Sequence, residues 1–232
     1  QAAFDLMGIP YTGTGCLSSA MAMDKGVTKA MFQMRGVSTP GGKAMKKKDR
    51  QDSLAALGME FPVVVKTCCG GSSIGVYIVD NQEDYVKALD EAFEYENEVV
   101  IEEFIKGVEY TVAVVDGTAY PVVQIVPKEG FYDYENKYKP GAVQETCPAP
   151  ISEELTRRLQ EAAVDGYHAL EMESYARLDF IVTEDEKIYC LEANTLPGMT
   201  PTSLIPQEAA VLGMDYPTLC EELIRVSQKK YD

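Results

Sequence analysis

Alternating hydrophobic and polar residues predict a β-hairpin in the last third of the chain. Two runs rich in β-branched, aromatic and aliphatic residues, 176–183 and 187–193, flank the polar cluster Glu184-Asp185-Glu186. A polar cluster between two strand-like runs is typical of a tight turn, and Asp185 and Glu186 are the predicted turn pair. In that register the core face of the hairpin carries Leu178, Phe180, Val182, Tyr189, Leu191 and Ala193.

The other face of this hairpin is polar. Asp179 is predicted opposite Glu192, and Arg177 opposite Asn194, with all four side chains on one face. Two directly opposed carboxylates are destabilising unless a positive charge neutralises them. Oxygen ligands without His or Cys suit a hard cation such as Mg²⁺. Two alternatives stay open: Arg177 neutralises both acids in a surface network, or the strands pair one residue out of this register.

The rest of the chain has the pattern of short strands and helices, and the half that contains the strands 109–115 and 118–126 is predicted to be an antiparallel α+β unit. Asp116-Gly117 is typical of a type I′ hairpin turn, and Asp24 can restart a helix that Gly36 ends. A polar connection without regular structure is predicted over 41–52. The predicted strands are 61–66, 76–79, 99–102, 109–115 and 118–126, and the predicted helices are 1–7, 18–35, 81–95, 152–171, 204–213 and 216–229.

Composition narrows the class of protein. With 232 residues, 46% of them hydrophobic, the chain can form one large domain or two small ones. A net charge of −16 opposes binding to nucleic acid or to an anionic membrane surface. The six cysteines lack the spacing of a zinc site and the density of a disulfide framework, so we expect cytoplasmic thiols. The single histidine, His168, lies in a helical pattern where a structural role is expected.

Two stretches are candidates for phosphate binding. Lys66 ends a predicted strand and precedes a glycine-serine loop at 70–75, whose N–H and hydroxyl groups suit phosphate oxygens. The loop is not a Walker A motif, and an ordinary turn would select the same glycines. Lys25 and Lys29 are four residues apart on one helix face, and a solvated basic face is the simpler interpretation.

The stretch 130–141 is long, aromatic and bounded by glycines. These features suit a mobile lid that carries Lys137 and Tyr138. A packed Ω-loop is the alternative interpretation.

Seven motifs spread along the chain carry a family resemblance. They are Gly-Ile-Pro-Tyr-Thr-Gly-Thr-Gly (8–15), Ala-Met-Asp-Lys (22–25), Val-Lys with Gly-Ser-Ser-Ile-Gly (65–75), Phe-Tyr-Asp-Tyr-Glu-Asn-Lys-Tyr (131–138), Cys-Pro-Ala (147–149), Ala-Arg-Leu-Asp (176–179) and Leu-Glu-Ala-Asn-Thr-Leu-Pro-Gly-Met-Thr-Pro-Thr-Ser (191–203). In this order they resemble the D-alanine–D-alanine ligases of the ATP-grasp superfamily.

The resemblance implies a fold of two α+β subdomains whose antiparallel sheets enclose a nucleotide. It implies the division 1–25, a remnant of an N-terminal domain, 26–104, a central subdomain, and 105–232, a C-terminal subdomain. The implied reaction joins two D-alanines through an acylphosphate made with ATP, in the cytoplasm, for peptidoglycan precursor synthesis. The implied partners are small molecules, ATP and D-alanine, without nucleic acid or membrane, and the protein is expected to form a homodimer.

The resemblance also implies a role for each matching residue. The implied ATP-binding residues are Lys25, Lys66, Glu102, Glu103, Ile105, Glu109 and Lys137. Two Mg²⁺ or Mn²⁺ ions would be held by Asp179, Glu192 and Asn194, and the second substrate by Ser203 and Leu204. Arg177 and the N–H of Gly198 would stabilise the tetrahedral intermediate, while Ser72 and Tyr138 would take part in lid closure.

Two departures from the family pattern leave alternatives open. The family usually has proline after the lysine matched by Lys66, where this chain has Thr67-Cys68-Cys69-Gly70. The chain also begins after the family's N-terminal domain, which provides a glutamate for the amine of the first substrate, so a truncated ligase is expected. The alternatives are an ATP-binding module without ligase activity and a ligase for other carboxylate and amine substrates.

Overall fold

A computed structural model describes residues 1–71, 74–127 and 143–232, which form two antiparallel sheets with helices on their faces. The helices in these ranges are α1 (Ala2–Met7), α2 (Cys16–Met23), α3 (Lys25–Arg35), α4 (Gln82–Tyr95), α5 (Glu153–Ala169), α6 (Leu204–Val211) and α7 (Tyr216–Gln228). The strands are β1 (Gly42–Lys46), β2 (Val63–Thr67), β3 (Val76–Val79), β4 (Glu98–Glu103), β5 (Val108–Val115), β6 (Thr118–Ala119), β7 (Val123–Pro127), β8 (Val143–Thr146), β9 (Tyr175–Val182) and β10 (Ile188–Asn194).

The first sheet has the strand order β1-β4-β2-β3. The amphipathic helix α4, capped by the Asn81 side chain, packs on one face of this sheet. Val63, Val65 and Ile101 belong to the core between them. Because side chains alternate along a strand, Lys66 and Glu102 project from the opposite face of the sheet.

The second sheet has the order β10-β9-β5-β7-β8, with β6 paired to β5. One face packs against α5, together with Phe32 of α3, and the other packs against α6 and α7. The β5–β6 turn has Asp116 and Gly117 at φ 52° and 75°. Two successive positive φ angles are those of a type I′ turn, so this prediction is confirmed.

A short segment before β1 touches both sheets. The Cys190 N–H of β10 donates to the Ser38 carbonyl at 2.8 Å, and the Glu103 N–H of β4 donates to the Gly41 carbonyl, also at 2.8 Å. The Gly41 N–H donates to the Glu103 carboxylate at 2.6 Å. The segment 38–42 therefore ties the edge of the second sheet to the first sheet.

Two sequence predictions need correction. The stretch 41–52 contains β1 and a short 3₁₀-helix, Lys47–Asp49, instead of irregular structure. Its lysines hid the strand signal, because β1 is an edge strand, where lysines are common. The predicted strand 118–126 is split into β6 and β7 around Pro121, which has no N–H for the ladder.

The capping predictions are confirmed. Asp24 separates α2 from α3, and its side chain accepts a hydrogen bond from the Val27 N–H at 3.0 Å. Gly8 and Gly36 end α1 and α3 in the left-handed conformation. Within the described ranges, no helix combines the length and the apolar character needed to cross a membrane.

The close pairing of β1 and β4 gives a test of the fold. A Cβ atom at Gly42 would lie 2.5 Å from the Ile101 carbonyl oxygen and 2.8 Å from the Glu102 Cα. Both are backbone atoms that cannot move aside, so Gly42→Ala should lower the free energy of unfolding by about 2 kcal/mol. At Gly15 the nearest atom is a side-chain oxygen of Glu173, 3.8 Å away, and Gly15→Ala should cost less than about 1 kcal/mol. Equal losses in urea denaturation would contradict this packing.

Candidate functional site

The hairpin β9–β10 has the predicted register at its polar residues. Asp179 pairs with Glu192, and Arg177 pairs with Asn194. All four side chains are half-buried, in contrast to the buried Leu178 and Ala193 on the core face. The alternative of a register slipped by one residue at these positions is therefore excluded.

The predicted turn and core face of this hairpin are partly wrong. Glu184 and Asp185 form the turn, and Glu186 follows in a left-handed conformation at φ 56°. Near the tip, Cys190 therefore pairs with Phe180, and a β-bulge between Cys190 and Glu192 restores the predicted pairing beyond it. Because of the bulge, Cys190 is buried in the core, while Tyr189 and Leu191 are only half-buried.

Asp179 is the centre of a hydrogen-bonded network. Arg177 donates to both of its oxygens, from Nε to Oδ1 at 2.9 Å and from Nη2 to Oδ2 at 2.8 Å. Thr111 Oγ1 donates to Oδ1 at 2.6 Å, and Asn194 Nδ2 donates to Oδ2 at 2.9 Å. Glu192 joins this network through Asn194, whose Nδ2 lies 3.5 Å from Oε1. Arg177 thus neutralises one of the two opposed acids.

The donor set at this position suits a hard cation. It consists of two carboxylates and one amide, all offering oxygen, on the open side of the hairpin. Among the residues that the structure describes, no group of three or more His, Cys, Asp and Glu side chains could hold a metal. A cation here would therefore keep coordination positions for water or phosphate oxygens, as Mg²⁺ usually does.

Glu208 lies on α6, which packs on the face of the second sheet that also carries Arg177 and Asp179. Its Oε2 accepts a hydrogen bond from the Ala113 N–H at 2.8 Å, and its buried Oε1 has no partner in the described part. On one side of β5, Ala113 pairs with Arg177 of β9. On the other side, the pairing of β5 with β6 ends at Val114 and Ala119 and does not include Ala113. Glu208 thus takes the place of a missing strand partner.

Burial raises the pKa of Glu208 well above its ordinary value. The hydrogen bond from Ala113 and the positive charge of Arg177 lower that pKa and offset only part of the burial. Glu208 therefore keeps its proton to a higher pH than a solvent-exposed glutamate does. Sequence alone could not show this burial, because a glutamate in a helix is normally expected at the surface.

The loop after β10 brings Gly198 and Ser203 together. Ser203 Oγ accepts a hydrogen bond from the Thr200 N–H at 3.0 Å and lies 2.8 Å from the Thr200 hydroxyl. A Cβ at Gly198 would lie 3.1 Å from Ser203 Oγ. Ser203 precedes α6, and the Leu204 side chain packs against Val123 and Ile125. The Leu204 side chain is thus part of the core, and its backbone N–H lies in the first turn of α6.

A second cluster of charges surrounds Glu102 on β4. Lys29 Nζ lies 3.0 Å from Glu102 Oε2, and Lys66 Nζ contacts Oε1. Lys29 and Glu102 are buried, and the Lys66 side chain is only 14% exposed. Burial raises the pKa of Glu102, but the charges of Lys66 and Lys29 outweigh it and the pKa is lowered. The expectation that Lys29 belongs to a solvated basic face is wrong, because its partners come from distant segments.

Lys25 contacts the glycine-serine loop. Its Nζ donates to the Gly70 carbonyl at 2.5 Å, and its N–H donates to the Cys68 carbonyl at 2.9 Å. Cys68 is buried and Cys69 is exposed. Burial raises the pKa of Cys68 to about 12, so it is a thiol at neutral pH.

The other predicted nucleotide residues lie around the connection from β4 to β5. Glu103 accepts the Gly41 N–H, Ile105 is half-buried, and Glu109 pairs with Ile181 of β9. The structure thus brings Glu102, Glu103, Ile105 and Glu109 to the junction of the two sheets. The lid at 130–141, with Lys137 and Tyr138, and also Ser72, lie outside the described residues.

Comparisons with known proteins identify similar chains. A family model described as the D-ala D-ala ligase C-terminus matches residues 26–225. The chain is 44% identical over 224 residues to a D-alanine–D-alanine ligase of Syntrophotalea carbinolica. The aligned segment covers 97% of this chain and 72% of that relative.

Solved structures with similar folds are also found. The D-alanine–D-alanine ligase of Bacillus anthracis complexed with ATP is 35% identical, with a TM-score of 0.86 over 99% of this chain and 74% of that one. The VanG D-Ala:D-Ser ligase of Enterococcus faecalis is 32% identical, with a TM-score of 0.88 over 97% of this chain and 67% of that one.

The buried Glu208 predicts a pH-dependent stability difference. The folded-state pKa of Glu208 is raised, so its contribution to the free energy of unfolding is complete below the ordinary pKa of 4.5. That contribution is lost as the pH rises towards the folded-state pKa. Glu208→Gln keeps an acceptor for the Ala113 N–H and cannot ionise. The free energy of unfolding of Glu208→Gln, relative to that of wild type, should therefore increase as the pH rises above 4.5, by up to about 1.4 kcal/mol per pH unit.

Urea denaturation of both proteins between pH 4.5 and pH 8 measures this difference. Glu153→Gln, at an exposed position in the first turn of α5, is the control for the loss of a carboxylate. A difference between Glu208→Gln and wild type that stays constant across this range would contradict the raised pKa of Glu208.

Proposed function

The chain belongs to the D-alanine–D-alanine ligase family, and from this premise we propose how its residues catalyse the ATP-dependent ligation of two D-alanines. In this reaction the carboxylate of one D-alanine takes the γ-phosphate of ATP. The amine of the second D-alanine then attacks the acylphosphate, and phosphate leaves. The product is the dipeptide used in peptidoglycan precursor synthesis. The family match over residues 26–225 is the observation that carries this function.

The nucleotide is proposed to bind where the two sheets meet. Lys25 and Lys66 supply positive charge to its phosphates, since both lie beside the glycine-serine loop. Glu102, Glu103, Ile105 and Glu109 contact the adenosine from the β4–β5 connection. By resemblance, Lys137 adds a further charge for the γ-phosphate.

The hairpin is the proposed cation site. Two Mg²⁺ or Mn²⁺ ions would be held by Asp179, Glu192 and Asn194. Among the described contacts Arg177 neutralises Asp179, whereas the opposed carboxylate of Glu192 has no cationic partner, and a metal ion would supply that positive charge. Bound Mg²⁺ would supply charge neutralisation to the phosphate oxygens during transfer. Phosphoryl transfer depends on positioning and charge neutralisation, so no nucleophilic side chain is required.

The second step needs groups that stabilise the charge of the tetrahedral intermediate. Arg177 is held in one orientation by its two bonds to Asp179, which is the preorganisation that an oxyanion site requires. The Gly198 N–H is the second proposed donor. Ser203 and the backbone of Leu204 hold the carboxylate of the second substrate at the start of α6. Ser72 and Tyr138 are proposed to close the site.

A second candidate concerns the second substrate. The VanG D-Ala:D-Ser ligase has a similar fold, with a TM-score of 0.88. D-Serine differs from D-alanine by one hydroxyl, and an apolar pocket discriminates weakly against such an addition. Competition between D-alanine and D-serine for dipeptide formation distinguishes the two activities.

The organisation of the protein is also proposed. The division into 1–25, 26–104 and 105–232 is supported by the two sheets, which end and begin on either side of the β4–β5 connection. A cytoplasmic location agrees with six free cysteines, since a reducing compartment keeps thiols free. The homodimer stays a prediction.

The reaction itself is tested in the full-length protein. We expect phosphate release from ATP that depends on both Mg²⁺ and D-alanine, with equal amounts of D-alanyl-D-alanine detected by mass spectrometry. Phosphate release without dipeptide would favour an ATP-binding module that does not ligate. Dipeptides formed only from other amino acids would favour the alternative ligase.

The cation site predicts opposite effects of one substitution on activity and stability. Glu192→Gln removes a carboxylate opposite Asp179, so ATP turnover should fall by about two orders of magnitude or more. In metal-free buffer the folded state should be as stable as wild type or more stable, since a like-charge pair is relieved. The thermal midpoint of wild type, and not of the variant, should rise with Mg²⁺.

Glu184→Gln, at the exposed turn of the same hairpin, is the matched control. Turnover of Glu192→Gln equal to that of wild type would contradict the assigned site. Unfolding of this variant would indicate a structural network instead.

A further inference from the structure

All three N–H groups of the Lys29 ammonium have acceptors within the protein. Nζ lies 3.0 Å from Glu102 Oε2, 2.5 Å from the Pro40 carbonyl and 3.3 Å from Thr39 Oγ1. An ammonium has three donors, and these contacts use them fully. The residue is also buried, with 7% of its surface exposed. Lys29 therefore has no donor left for a nucleotide.

The charges around Glu102 do not balance. Glu102 carries one negative charge, and the ammonium groups of Lys66 and Lys29 each carry one positive charge, one on each carboxylate oxygen. A pair of Glu102 and Lys66 alone would be neutral. Because of Lys29 the cluster keeps one net positive charge in a poorly hydrated place, where charges act more strongly than in water.

We infer that Lys29 is a positioning residue for nucleotide binding: it neutralises Glu102, so that the positive charge of Lys66 remains available to a phosphate group of ATP. This inference rests on the proposed function, because it takes Lys66 as a phosphate ligand. Lys29 acts through Glu102 and does not touch the nucleotide.

The geometry agrees with this division of roles. Lys66 is the more exposed of the two lysines, at the end of β2 beside the glycine-serine loop. Lys29 approaches Glu102 from α3 and from the segment that contains Thr39 and Pro40. Glu102 is thus held from one side by Lys29, and it holds Lys66 on the other.

A purely structural role is the competing explanation, since Lys29 also fastens the Pro40 carbonyl to α3. The two explanations differ in what restores binding. If charge is decisive, removing Glu102 as well as Lys29 should restore phosphate affinity, because Lys66 is again left with its full charge. If fastening is decisive, the second change cannot help.

The measurement is the ratio of the dissociation constants of adenosine and ATP, determined by calorimetry with Mg²⁺ in the full-length protein. Using the ratio cancels changes at the adenosine contacts of Glu102. Lys29→Met should lower this ratio roughly tenfold, the effect of one close, partly desolvated charge. Lys29→Arg should keep the ratio within about threefold of wild type, because it retains the charge.

Two variants with Gln at position 102 complete the test and remain informative if Lys29→Met fails to fold. Glu102→Gln alone should raise the ratio above the wild-type value, because both ammonium charges are then uncompensated. The double variant Lys29→Met/Glu102→Gln should return it to within about threefold of wild type. It should also fold, since a buried ion pair is replaced by uncharged groups of similar size.

Three results would overturn the inference. The first is an unchanged ratio in a folded Lys29→Met protein. The second is a double variant whose ratio is as low as that of Lys29→Met, and the third is a Glu102→Gln ratio no higher than wild type. Absence of ATP binding in wild type is a separate outcome, which overturns the proposed function and this inference with it.

Discussion

The buried Glu102 carboxylate is the constraint on which the junction of the two sheets depends. It lies on β4 opposite Gly42 and is held by Lys66 from the neighbouring strand. Through Lys29 the same carboxylate is linked to Pro40, and two residues earlier the chain is bonded to the edge of the second sheet. A buried carboxylate needs such partners, because an unpaired charge in this position would strongly destabilise the fold. The residues proposed to bind the nucleotide are grouped around the same point.

The sequence alone was sufficient to predict the polar face of the β9–β10 hairpin. Alternation defines which residues share a face, and opposed acids are destabilising without a neutralising charge. Sequence could not show that the tip is offset by one residue, nor that a bulge at Leu191 removes the offset. The turn error and the bulge cancel at Asp179 and Glu192, so the pairing of these two residues was predicted correctly, while the core positions Tyr189 and Leu191 were not.

Other features were beyond a single sequence because they depend on contacts between distant segments. Lys29 and Glu208 are charged residues of predicted helices, and such residues are normally expected at the surface. Both are buried because a group far away in the chain needs a charge or an acceptor there. Strand β1 was missed for a related reason. Its residues have little β preference of their own, and the strand is defined by its partner β4.

The bond from Glu208 to Ala113 has a consequence for substrate choice. It joins α6, which begins just after Ser203, to the strand residue that pairs with Arg177. The group proposed to hold the substrate carboxylate and the group proposed to hold the reacting oxygen are therefore fixed on one rigid frame. A substrate must span the distance between them, and a rigid site cannot adjust to a longer one. We expect the ligase to distinguish α-amino acids from their longer β-amino counterparts by length, even where the side chains are identical.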